Sequence, residues 1–172
     1  FTRDQVPRLM QPAADAPRFG LTQLRSEIWS CLQNRNYAML LLGLLCLSAT
    51  TGTRETLGSY VSLFFWGLPE DKIRVFGLVS PPAFVVAFIV TVRMHARFEK
   101  RNTIMAAAIM MAFAATAPIL LRLLGAFPAN GAPTLIPSLL VFTFVFYGSV
   151  AVLMISVLSA LADITDEHEL AT

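Results

Sequence analysis

Charge is scarce in this sequence. Only 14% of its 172 residues are charged and 56% are hydrophobic, whereas an ordinary soluble domain carries about 25% charged residues. With a mean hydropathy of +0.65, that deficit excludes a water-soluble globule, and the apolar excess excludes a disordered chain. Cysteine is nearly absent. Cys31 and Cys46 make two, and the second sits in an apolar run, so no disulfide scaffold is read. The net charge of +2 is too small to point to nucleic acid. No GxSxG, HExxH or Walker A pattern occurs, so catalysis has no motif to rest on. No signal peptide is visible, because the first long apolar run starts only near Tyr37. The chain also opens on Phe1, without Met, and closes on an acidic cluster at 163–169. Both ends read as cuts in a longer protein.

Long apolar runs are what the sequence does have. A helix needs ~20 mainly apolar residues to cross the hydrocarbon core. Four stretches qualify, over about 37–67, 73–92, 103–124 and 135–162. Pro, Gly and Asn mark the first and third breaks, and charge marks the second. The expected fold is an all-α membrane protein with four transmembrane helices.

Basic residues orient the set. Arg3, Arg8, Arg18, Arg25 and Arg35 precede the first span, and Arg93, Arg97, Lys100 and Arg101 follow the second. The opposite side holds Lys72 and Arg74, with Arg122 near its edge. The positive-inside rule therefore places 1–36 and the 93–102 loop in the cytoplasm. Residues 1–20, with three prolines, read as a linker. Residues 21–36 carry Leu24, Ile28, Trp29 and Leu32 between charges and read as an amphipathic helix at the cytoplasmic interface, or as a structural stub.

Polar residues inside the spans are the candidate functional groups. In span one, Ser48, Thr51, Glu55, Ser59 and Ser62 recur at helical spacing and form one stripe. Ionisable groups in a span face a bundle interior or a water-filled cavity. Arg54 and Glu55 are adjacent and diverge by ~100° on the helix, so each is expected to pair elsewhere. They are read as cavity lining, against a structural charge pair to a neighbouring helix.

Ser80-Pro81-Pro82 predicts a kink in span two, and Pro118 a second in span three. The alanines of span three favour close helix packing. Tyr147 and Ser149 lie near the middle of span four, and Ser156, Ser159, Asp163 and Asp166 continue a second polar stripe. Carboxylates at a helix C-terminus oppose its dipole. Asp163, Asp166 and Glu167 therefore need cations, and Arg97, Lys100 and Arg101 are the nearest supply. A solvated or salt-bridged face is preferred to a metal site for this cluster.

The order of parts resembles the C-terminal half of a major facilitator superfamily carrier, and more narrowly the glycoside–pentoside–hexuronide:cation symporters, the melibiose carrier group. Asn34-Arg35-Asn36-Tyr37 is similar to that group's N-R-P-[FY] entry to the seventh helix, with Asn36 in place of Pro. Tyr60-Val-Ser-Leu-Phe-Phe-Trp resembles its aromatic outer end. Arg97-Phe-Glu-Lys-Arg-Asn resembles its basic loop between helices eight and nine, with Glu99 where Gly is common. Ala162-Asp163-Ile-Thr-Asp166 and the residues to Thr172 are similar to the A-D-x-x-D…T sequence after helix ten.

The resemblance implies a twelve-helix bundle of which this chain supplies helices seven to ten. It implies symport of a small polar solute such as a sugar by alternating access, coupled to H⁺ or Na⁺. The cation site would lie in the N-terminal bundle, outside the chain, and no other cofactor is implied. The partners would be the solute, the bilayer and that N-terminal bundle, in a bacterial inner membrane. Together with the dipole argument, it makes the acidic end and the basic loop a cytoplasmic gate. The alternative is a non-transporting scaffold or subunit that associates through its small-residue faces.

Overall fold

A computed structural model describes the backbone of residues 35–171 together with Gly20, Arg25, Trp29 and Gln33, and side chains as far as Asp163. The chain divides into two units, 1–38 and 39–172. In the first, Arg25, Trp29 and Gln33 are helical and exposed. The remainder of the expected 1–20 linker and 21–34 of the interfacial helix lie outside the described residues.

All regular structure among the described residues is helical. Helix α1 spans Arg35–Tyr60 and continues as a π-helical segment, Val61–Phe65. Helices α2 (Glu70–Gly77), α3 (Ser80–Arg97), α4 (Lys100–Leu123) and α5 (Leu135–Ala171) follow. Four helical stretches are long and apolar enough to cross a membrane: Arg35–Phe65, Glu70–Arg97, Lys100–Leu123 and Leu135–Asp163. The protein is an all-α membrane protein.

Local chemistry sets the breaks. After the π-helical segment the chain turns at Gly67, whose φ of 62° is a conformation that side chains disfavour. Pro69 then caps α2, and its carbonyl accepts the amides of Lys72 and Ile73. Glu70 and Asp71 in the first turn and Arg74 in the last suit the helix dipole. The double proline does not bend one continuous helix. The helix stops at Gly77, turns through Leu78 and Val79, and restarts at Ser80. Pro81 and Pro82 thus fall in the first turn of α3, where a missing N–H costs nothing. Helix α4 ends in paired bonds, from the Gly125 amide to the Arg122 carbonyl and from the Ala126 amide to the Leu121 carbonyl, with Gly125 at φ 74°. That is the Schellman arrangement.

Helix α5 is longer than its apolar run. It continues to Ala171, so Asp163 stands about two turns before the helix end and not at its C-terminus. Charge ends an apolar run but does not end a helix, and no Gly or Pro follows Gly148.

Helix α5 is the centre of the packing, with α3 and α4 against it. Leu135, Leu139, Phe146, Val152, Leu153 and Val157 are its buried apolar side chains. The partners offer small residues: Ala83, Ala87 and Thr91 from α3, and Thr103, Ala107, Ala114 and Ala117 from α4. An ideal Cβ on Gly148 would sit 3.9 Å from the Ala83 carbonyl oxygen. Without a hydrophobic drive between helices in lipid, such small-residue approach is what holds them together. Helix α1 is attached more thinly. Leu47 is its one buried residue among those described, packed with Ala87, Ala107 and Val152.

Candidate functional site

A groove of about 420 Å³ opens between α1, α2, α4 and α5. Its polar wall is α1, through Thr50, Thr53, Arg54, Glu55, Ser59 and Ser62. Helix α5 contributes Thr143, Phe146 and Tyr147, and α4 contributes Ala114, Ala115 and Pro118. Trp66 joins from the chain just beyond the π-helical segment. Apolar rings with a few convergent polar groups are the usual composition of a small-molecule site.

The two charges of span one go to different partners. The Tyr147 hydroxyl donates to Glu55 Oε1 at 2.7 Å. The Arg54 guanidinium lies 3.8 Å over the ring of Phe146, a cation–π geometry. Phe146 is fully buried, and Tyr147 is steadied by edge contacts with Phe84 and Phe146. Neighbouring residues of α1 thus meet neighbouring residues of α5. The ~100° between successive helix positions sends one member of each pair to either side of the crossing. No ion pair between Arg54 and Glu55 occurs among the described residues.

Other candidate lining residues are placed elsewhere. Thr51 is half-buried and its hydroxyl donates to the carbonyls of Leu47 and Ser48. Ser48 is exposed on α1 away from the groove. Ser149 is buried and donates to the Val145 carbonyl. Of the residues singled out in sequence, Arg54, Glu55, Ser59 and Tyr147 share the groove, and Ser48, Thr51 and Ser149 do not line it. Thr50, Thr53 and Thr143 do line it. Their sequence signal is weak, because Thr hydroxyls in helices often satisfy themselves on the preceding turn, as Thr50 does on the Cys46 carbonyl.

A second polar cluster lies where α3 passes into α4. Lys100 forms a salt bridge with Asp163, and its Nζ also donates to the Ser159 carbonyl at 3.4 Å. One turn of α3 away, His95 Nε2 and the fully buried Ser156 hydroxyl share a 2.9 Å hydrogen bond. Arg97 and Arg101 are exposed and make no ion pair among the described residues. The side chains of Asp166 and Glu167 lie outside the described residues. The His95–Ser156 contact was not anticipated. Its signal was Ser156 in the stripe of span four, a hydroxyl that needs a partner, with His95 in the last turn of α3.

Opposite the salt-bridge cluster along the bundle, Arg122 ties down the α4–α5 loop. Its Nη1 donates to the Pro128 carbonyl at 3.2 Å and its Nη2 to Asn130 Oδ1 at 3.1 Å. Asn130 Nδ2 in turn donates to the Phe65 carbonyl at 3.1 Å. Arg122, near the edge of its span, is an anchor.

Comparison with known proteins adds one finding. A family model described as MFS/sugar transport protein matches residues 1–172. No curated protein and no solved structure matches the chain.

Proposed function

The chain belongs to the MFS/sugar transport protein family, a family of transporters and not of enzymes, and from that premise we propose that it is part of a cation-coupled symporter for a small polar solute such as a sugar. The chain supplies helices seven to ten of a twelve-helix carrier in a bacterial inner membrane, with 1–36 and the 93–102 loop cytoplasmic. The N-terminal bundle and its H⁺ or Na⁺ site lie outside it. Alternating access rocks the two bundles about a midplane site, and the α1 wall of the groove is this chain's share of that site. The motifs at 34–37, 97–102 and 162–172 support a place near the melibiose carrier group.

The observation that carries this reading is the Glu55–Tyr147 hydrogen bond on the groove wall. A carboxylate within a span is costly unless it serves a cavity. Glu55 is exposed beside the groove, while its neighbour Arg54 is held on Phe146. Glycoside hydroxyls need such acceptors, and the rings beside it offer apolar faces to a sugar ring. Lys100 and Asp163 act as a cytoplasmic gate, made in one access state and broken in the other, with Arg97, Arg101, Asp166 and Glu167 as further members. The scaffold reading rests on the small residues of α4. Ala107, Ala114 and Ala117 are buried inside this bundle, which leaves Ala106 and Ala112 exposed for it.

The test uses the full-length protein in proteoliposomes, under an imposed H⁺ or Na⁺ gradient, with a panel of radiolabelled glycosides, pentosides and hexuronides. Glu55→Gln is expected to lower uptake by about tenfold or more at equal reconstitution, the order of one lost charge-assisted hydrogen bond. Unchanged kinetics would reject the lining role. Absence of flux for every solute in the unmutated protein would reject transport.

A further inference from the structure

The groove has an end that closes on the π-helical segment, and three elements meet there. The Phe65 carbonyl closes the π-helical segment. Beyond it the chain turns away at Gly67 with φ +62°, so no helical amide is left to reach that carbonyl. Asn130 supplies the donor from the α4–α5 loop. Its amide is oriented without ambiguity. Arg122 can only donate, so it fixes the oxygen of Asn130 toward itself and the nitrogen toward Phe65. Below this relay Trp66 packs on Phe127 with ring centroids 5.4 Å apart, both nearly buried within the cluster of Leu68, Leu135 and Leu139. Ser62 and Trp66 line the groove, so whatever holds the end of the π-helical segment also sets the width of the groove at this mouth. π-Helical turns are poorer in hydrogen bonding and frequent at functional sites. The Trp66 amide reaches back to the Val61 carbonyl and the Leu68 amide to the Ser62 carbonyl, and the bond from Asn130 is the tie to another element.

We infer that Asn130 is a positioning residue for solute access: a latch, set by Arg122, that holds the π-helical end of span one against the α4–α5 loop and keeps this mouth of the groove narrow. The inference rests on the groove being the solute path. Its bonds are polar and exposed, so water can replace them at little cost, which suits a contact that opens and closes in each cycle. The Trp66–Phe127 pair beneath is apolar and re-seats the segment when it returns.

The experiment uses the full-length protein with Cys31→Ser and Cys46→Ser, and Ser62→Cys as reporter. The probe is a membrane-impermeant maleimide added to sealed vesicles of each orientation. Asn130→Ala removes both of its bonds and is expected to raise the labelling rate about fivefold from one side, the factor that loss of the single bond to Phe65 gives an open state in equilibrium with a closed one. Asn130→Asp keeps the acceptor for Arg122 and removes the donor to Phe65, so it should raise labelling at least as much. Equal labelling in all three proteins overturns the latch. So does a rise with Ala but not with Asp, which would make the Arg122 bond to the loop the active tie. If Ser62→Cys reacts in every protein only after denaturation, the groove holds no water; that removes the groove as a solute path, and the latch with it. Normal labelling of Ser62→Cys with an unaltered Asn130 effect, alongside an inert Glu55→Gln in transport, would leave the latch and reject the lining role.

Discussion

Helices α1 and α5 carry comparable polar stripes and dispose of them in opposite ways. On α5, beyond Thr143 and Tyr147 at the groove, the polar groups close on protein: Ser149 on Val145, Ser156 on His95, and Asp163 on Lys100. On α1 Thr51 closes on its own helix, while Arg54, Glu55 and Ser59 open onto a groove, across which Glu55 and Arg54 reach α5. A stripe of Ser, Thr and carboxylate in a span therefore has two meanings. Where the helix is surrounded, the stripe is the adhesive of a bundle. Where it is thinly packed, the stripe is left facing open space. The difference lies in what covers the helix, which a single segment's pattern does not contain.

Mutations can break that contrast. Phe146 is 1% exposed at the heart of α5. Phe146→Ala should cost about 3–5 kcal/mol of stability, seen as a large drop in thermal unfolding temperature of the detergent-solubilised full-length protein. Retained stability with transport alone lost would place Phe146 on the ligand side of the contrast. A smaller effect is expected at the Lys100–Asp163 pair, whose side chains are 35% and 59% exposed. Asp163→Arg should change stability by no more than about 1 kcal/mol and still depress uptake. Lys100→Asp should restore part of that uptake, whereas Arg97→Asp or Arg101→Asp should not. Rescue by Arg101→Asp would move the gate to another cation. The smallest effect belongs to Ser48→Ala, within about 0.5 kcal/mol in stability and with uptake unchanged. A raised apparent KM there would extend the groove along α1 beyond Thr50.

Much of this was legible from residues alone, and the gaps have physical causes. The long apolar runs identify membrane helices because lipid leaves few other ways to satisfy a backbone. The divergence of Arg54 and Glu55 followed from helical geometry. That they would meet Phe146 and Tyr147 did not, since helix crossings are set by packing between segments far apart in sequence. Lys100 could not be told from Arg97 and Arg101 as the partner of Asp163 while the start of α4 was unknown. Pro81 and Pro82 predict a kink where the chain instead breaks between two helices, because proline is as comfortable in the first turn of a new helix as it is disruptive inside an old one.

The paired contact between α1 and α5 also has a mechanical side. A cation sits on a ring and a carboxylate on a hydroxyl, at consecutive positions of both helices, so the two contacts fix the register of one helix against the other. One turn along α5 in one direction, about 5.4 Å, the same two chemistries recur as Phe142 and Thr143, both on the groove wall. One turn the other way stand Val150 and Ala151, which offer neither. One turn along α5 the groove wall thus repeats a ring and a hydroxyl in one direction and offers only aliphatic side chains in the other, so the two charges of α1 have an asymmetric surface beside them.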